Sequence, residues 1–217
     1  MKNNILYQSM KNKCIYSLED LREYFDRIGN ELKQMPQNNI RIPKIDIEDE
    51  KLSNLYSTLE SYRIEDVFLK TFRHSMIVTL FTHFENALDK LCNYCHIVGN
   101  LGIPIENEQR NKIEICKKYI SRHYESIAPV FRRNSWLIIQ DFKRIRDCIV
   151  HTDGNVLKLN DKKKKILIKI IEKNGLVLNK DQQLIIEDNY ITSSLENIRT
   201  FLEEIFDSIN QKIESRP

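Results

Sequence analysis

The chain has 217 residues, 41% of them hydrophobic and 30% charged, the balance of a globular protein with length enough for one sizeable core. Five glycines and five prolines are too few breakers for a turn-rich all-β architecture, so a mostly helical fold with few connections is expected. A net charge of +3 permits a polyanionic partner but falls short of the strongly basic balance of a dedicated duplex binder.

Residues 1–13 lack the apolar run and small-residue cleavage site of an export signal, and no stretch approaches the ~18 apolar residues that span a bilayer. Five cysteines at scattered spacings do not read as a disulfide framework. The expectation is a cytoplasmic chain with reduced thiols and no membrane partner.

Ser17-Leu18-Glu19-Asp20 reads as a helix start with Ser17 as N-cap, and Leu18, Leu21, Phe25, Ile28 and Leu32 follow at helical spacing up to Met35-Pro36. Residues 37–47 alternate isoleucine with polar residues around Pro43 and read as an extended linker. Residues 1–47 are therefore expected to be an N-terminal helix and linker packed on a helical domain of residues 48–217. A weaker helix is expected over 48–61. The longest periodic run comes next over 64–98, through Phe68, Phe72, Met76, Leu80, Phe84, Leu88, Leu91 and Cys95, and is stopped by Gly99 and Gly102.

Another amphipathic helix is expected over 107–126, through Ile113, Cys116, Tyr119 and Ile120. Asn134-Ser135 can cap a helix whose apolar side carries Leu137, Ile138, Phe142, Ile145 and Ile149, with Gly154 as its terminal breaker. A lysine-rich helix over 162–173 comes next, then a hairpin of residues 176–178 and 184–186. The last helix spans 190–213. The fold class is all-α dominated, an up-and-down helical bundle with a small β-hairpin before the last helix.

Chemistry concentrates in Lys143-Arg144-Ile145-Arg146-Asp147-Cys148-Ile149-Val150-His151-Thr152-Asp153-Gly154. A guanidinium clamps a phosphate and an imidazole moves a proton, the minimum equipment for cutting RNA without a metal. Five helical steps separate Arg146 and His151 by about 140° on an ideal helix, so one chain does not aim both at one atom. A twofold pair of motif helices can do so. The plainer alternative is that His151 complements the helix dipole and Arg146 is a solvated surface group.

Arg146-Asp147-Cys148-Ile149-Val150-His151 resembles the signature of the HEPN superfamily, in which an arginine, a polar residue, a few variable residues and a histidine mark a metal-independent ribonuclease site of a dimeric helical bundle. Leu80-Phe81-Thr82-His83-Phe84-Glu85-Asn86-Ala87-Leu88 is similar to the early long helix of that fold. The hairpin and amphipathic helix after the motif are similar to the elements C-terminal to it in bacterial HEPN proteins. The resemblance implies an endoribonuclease with a composite active site at a homodimer interface, a toxin or phage-defence effector with RNA as substrate and an antitoxin or activating partner. It implies Arg146 and His151 as catalytic residues, with Asp147 orienting one of them. Arg144, on His151's helical face but followed by the apolar Ile145, is a rival phosphate contact. No cofactor and no metal are expected.

Other candidates are weaker. Cys92-Asn93-Tyr94-Cys95-His96 matches a haem attachment pattern, but both cysteines fit the periodic run of a core helix. Cys116 and His123 can complete a zinc set with them only in principle. Four lysines at 162–165 can track a phosphate backbone, though such a run is more often a solvated face. A catalytically silent HEPN-type module for dimerisation or partner binding, and a nucleic-acid-binding helical protein without chemistry, stay open as alternatives.

Overall fold

The computed structural model describes residues 2–34, 67–98 and 112–215. The linker expected over 37–47, the helix over 48–61, the stop at Gly99 and Gly102, and the start of the helix expected at 107 lie outside them. Within them the expected class is what forms: a helical bundle with one small hairpin before the last helix. In chain order the helices are α1 (Lys2–Lys33), α2 (Lys70–Val98), α3 (Lys112–His123), α4 (Asn134–Thr152), α5 (Asp161–Lys173) and α6 (Asp188–Glu214). Strands β1 (Val177–Leu178) and β2 (Leu184–Ile185) pair antiparallel ahead of α6, with Val177 opposite Ile185 and Leu178 opposite Leu184.

α1 begins at Lys2, well before the start expected at Ser17. Tyr7, Cys14, Leu18 and Phe25 recur every four or seven residues and are all buried, so the apolar stripe runs through position 17. Ser17 turns its hydroxyl back to the Lys13 carbonyl, 2.8 Å away. A serine can make this bond inside a helix as readily as it caps one. α1 is thereby a full member of the bundle, packed on α2 and α6.

α2 buries more than one stripe, from Met76 and Ile77 through Phe84 to Leu91, Cys92 and Cys95, because α1, α3, α4 and α6 all pack against it. Cys92 and Cys95 are core residues. α3 leads into a 3-10 stretch, Glu125–Arg132, with Pro129 inside it, where tighter winding fits a residue that has no N–H to donate. α4 is entered from Arg133, whose side chain makes no cap hydrogen bond. Asn134 and Ser135 lie inside the helix, and Ser135 Oγ donates to Glu204 on α6 at 3.5 Å.

Phe201 of α6 joins the layers. Its ring lies 5.8 Å from Phe84 on α2, 6.0 Å from Phe131 in the 3-10 stretch and 5.4 Å from Trp136 on α4, centroid to centroid. Such aromatic contacts supply both area and orientation to a core.

Asp188 locks three helix ends together. Its carboxylate accepts from Lys33 at the end of α1 and, at 2.7 Å, from Arg73 on α2. Burial opposes its ionisation, but the two cations outweigh burial and hold the carboxyl below its usual range. A carboxylate with a depressed folded pKa stabilises the fold above its unfolded pKa, and the gain is lost as pH falls through the folded value. The stability difference between the parent and Asp188→Asn is therefore expected to be constant above about pH 5 and to shrink below about pH 4. Urea unfolding over a pH series measures it; a difference unchanged down to pH 3 would remove the triad from the fold's stability.

Among the described residues no helix is long and apolar enough to cross a membrane.

Candidate functional site

α4 stops because Asp153 and Gly154 turn the backbone left-handed, with φ 54° and 74°. Asp153 can take that conformation because a short polar side chain tolerates it. The Gly154 N–H returns to the Cys148 carbonyl at 3.2 Å, satisfying one of the carbonyls that a helix end leaves open. A β-carbon at Gly154 would also sit 3.1 Å from the His74 ring.

His74, on α2, is buried under this turn. Its Nε2–H donates to the Leu184 carbonyl at 3.3 Å, tying α2 to β2, while the Leu184 N–H donates to the Gly154 carbonyl at 2.9 Å and ties the turn to the same strand. Burial pulls its pKa down, and the bond to Leu184 offsets that only in part, so the imidazole is a neutral strut.

His151 stands in the last turn of α4, exposed, with no polar partner among the described residues. Arg144, Asp147 and His151 recur at intervals of three and four residues, which places them on one side of the helix. They line one wall of an open groove of about 740 Å³. Lys158, Leu159 and Asn160 form the far wall with Lys163, Ile166 and Leu167 of α5. Asn160 starts α5 as its N-cap, accepting from the Lys163 N–H at 3.0 Å.

Arg146 does not line this groove. Its guanidinium lies over the Phe81 ring of α2, 4.9 Å from the centroid, and Nη1 donates to Asp147 at 2.9 Å. Its Nε is buried and meets no acceptor among the described residues. The other oxygen of Asp147 accepts from Lys143 at 2.6 Å. Burial raises the Asp147 pKa, but the bonds from Lys143 and Arg146 outweigh it and keep the carboxyl below the usual carboxylate range.

Glu85, on α2, completes the neighbourhood. Burial pushes its carboxyl above the usual range, and the nearby Arg146, Lys112 and Lys143 only partly offset that. Arg144 pairs with Asp141 at 3.3 Å, and Asp141 also accepts from Lys173 at 2.9 Å.

Arg144, Asp147 and His151 are thus brought together, while Arg146 sits on the adjoining flank and touches the group through Asp147. Sequence reasoning misses Lys158, Leu159 and Asn160, and it reaches Lys163 only within a lysine run. The asparagine before Asp161 is the available signal, since it fixes where α5 begins. Nothing local signals Phe81 beneath Arg146.

Other clusters are structural. His83 Nε2 lies 3.0 Å from the Cys14 carbonyl and 3.1 Å from Ser17 Oγ. A nitrogen whose proton goes to that carbonyl cannot take the serine's, and the pair is a latch between α1 and α2. Among the described residues no group of three or more His, Cys, Asp or Glu is gathered as a metal site.

No family model, no curated protein and no solved structure matches the chain. The groove itself bears the functional reading: an accessible imidazole beside cations that can hold a phosphate.

Proposed function

We propose that this protein is a metal-independent endoribonuclease of the HEPN type, a toxin or phage-defence effector that works as a homodimer. One observation carries the proposal. His151 opens, unpartnered among the described residues, into a groove whose lining cations Arg144, Lys158 and Lys163 face a single carboxylate, Asp147, already neutralised by Lys143 and Arg146.

In such a groove an imidazole takes the proton from a ribose 2′-hydroxyl or gives one to the leaving 5′-oxygen. The 2′-oxygen attacks the adjacent phosphorus and the bond to the 5′-oxygen breaks, leaving a 2′,3′-cyclic phosphate and a 5′-hydroxyl. Guanidinium groups stabilise the charge that gathers on the phosphoryl oxygens. Arg144 does this from the His151 side. Arg146, immobilised by Phe81 and Asp147, does so across a twofold axis, where the two motif helices complete each other's site. A protein partner acting as antitoxin or activator would work by covering or completing this cleft.

Incubation of the purified protein with RNA in excess EDTA tests the proposal. Fragments ending in 2′,3′-cyclic phosphate, with DNA of the same sequence intact, are expected. Cleavage only on addition of a divalent metal, or none by concentrated protein, would overturn it. The silent dimerisation or partner-binding module is the second reading, favoured by one observation: Arg146 is already committed to Asp147 and Phe81.

A further inference from the structure

We infer that the groove beside His151 is a subsite for one unpaired nucleotide of an RNA strand, the nucleotide that flanks the phosphate to be cut; its place next to the cut rests on the nuclease proposal, its binding chemistry does not. The groove is two-toned. Leu159, Ile166 and Leu167 give it an apolar floor, and Arg144, Lys158 and Lys163 give it a cationic rim.

Ile166 is 39% exposed, an apolar surface presented to solvent on a helix otherwise studded with lysine. Neighbouring cations Lys143, Arg144 and Lys173 each hold a carboxylate. Lys158 and Lys163 hold none among the described residues, so their charge is available to a ligand.

A nucleotide carries the matching pair of surfaces, a flat apolar face and an anionic phosphate. The volume of about 740 Å³ lies within the roughly 300–1,000 Å³ typical of sites that enclose a small molecule. Asn160 spends its side-chain oxygen on the Lys163 N–H, which leaves its amide N–H groups to donate to an acceptor on the base edge. A base can lie on the floor only when it is not stacked and paired inside a helix. The geometry therefore selects single-stranded or looped RNA over a duplex, whose base faces are enclosed. Apart from the His151 imidazole, the groove lining among the described residues contains no aromatic ring, so the strand is held mainly through phosphates and its binding is salt-sensitive.

The test uses the full chain and a fluorescein-labelled 2′-O-methyl RNA strand of about 12 nucleotides, long enough to fill a strand-binding site and without a 2′-hydroxyl to attack. Fluorescence anisotropy should show the single strand bound at least about ten-fold tighter than its blunt duplex. Replacing both lysines, Lys158→Gln with Lys163→Gln, should weaken strand binding about ten-fold and flatten the log–log salt dependence by about 1.4, the loss of two single-strand phosphate contacts. The pair Lys180→Gln with Lys212→Gln, outside the groove, should leave both unchanged. Ile166→Asp should erase the preference for single strands, and circular dichroism checks that each variant is folded.

Equal affinity for strand and duplex, or unaltered binding by the folded Lys158 and Lys163 double variant, would overturn the subsite. So would adenosine 5′-monophosphate displacing the strand at concentrations near the strand's own Kd, since the site would then serve a free nucleotide. Strand binding lost in that double variant of a protein that cuts no RNA would leave the subsite standing and remove the nuclease proposal. The opposite pattern would do the reverse.

Discussion

Replacing His151 with alanine is expected to lower RNA cleavage by about 10²- to 10⁴-fold, the contribution of a positioned proton-transfer group. The melting temperature should move by no more than roughly 2 °C, because the side chain is exposed and unbonded among the described residues. Arg146→Ala should lower kcat comparably but also cost stability, since it uncovers the Phe81 face and leaves Asp147 to Lys143 alone. Arg146→Lys should not restore activity, because an ammonium keeps the charge without the planar fork that holds both phosphate and carboxylate. Arg144→Ala should mainly raise KM. Single-turnover cleavage with differential scanning fluorimetry separates these outcomes. Undiminished cleavage by His151→Ala would identify the motif as an ordinary helix end and favour the silent module.

The largest expected loss of stability is at the other end of the bundle. Phe201→Ala should destabilise the fold by about 3–5 kcal/mol, the usual cost of deleting a fully buried aromatic ring, and lower the melting temperature by roughly 6–20 °C. Its ring is the shared neighbour of Phe84, Phe131 and Trp136, so the hole borders three other elements at once and none can refill it alone. Against a total of about 5–15 kcal/mol, that loss leaves little margin. Phe201→Leu should recover a large part of it. A melting temperature within roughly 2 °C of the parent for Phe201→Ala would mean that the helices repack around the vacancy.

Helix periodicity was legible within the described residues of α2, α4, α5 and α6 because each buries a stripe of apolar side chains, and the hairpin was legible from two short apolar runs joined by polar residues. The misreading at Ser17 has a definite cause. The same hydroxyl satisfies either an orphan N–H at a helix start or a carbonyl one turn back inside a helix, and the buried apolar residues upstream, Tyr7, Cys14 and Ile15, discriminate. At the site, the spacing of Arg144, Asp147 and His151 fixed their common face. The far wall was not legible, since it depends on the Asp153-Gly154 turn and the short connection that fold α5 back beside α4. Arg146 lies on Phe81 although 65 positions separate them in the chain, and no local pattern encodes such a contact.

α6 comes later in sequence than everything it packs against, and it packs against α1, α2 and α4. The hydroxyl of Tyr7 reaches Asp207 across 200 residues at 2.5 Å, and Lys11 joins the same carboxylate at 2.6 Å. Closing a chain segment of that length is slow relative to local helix formation. During synthesis the motif helix therefore leaves the ribosome before the element that closes the core around it. A nascent chain carrying Arg146 and His151 but not yet α6 has no complete bundle, and α4 stays unsupported on the side that α6 covers until that last helix docks.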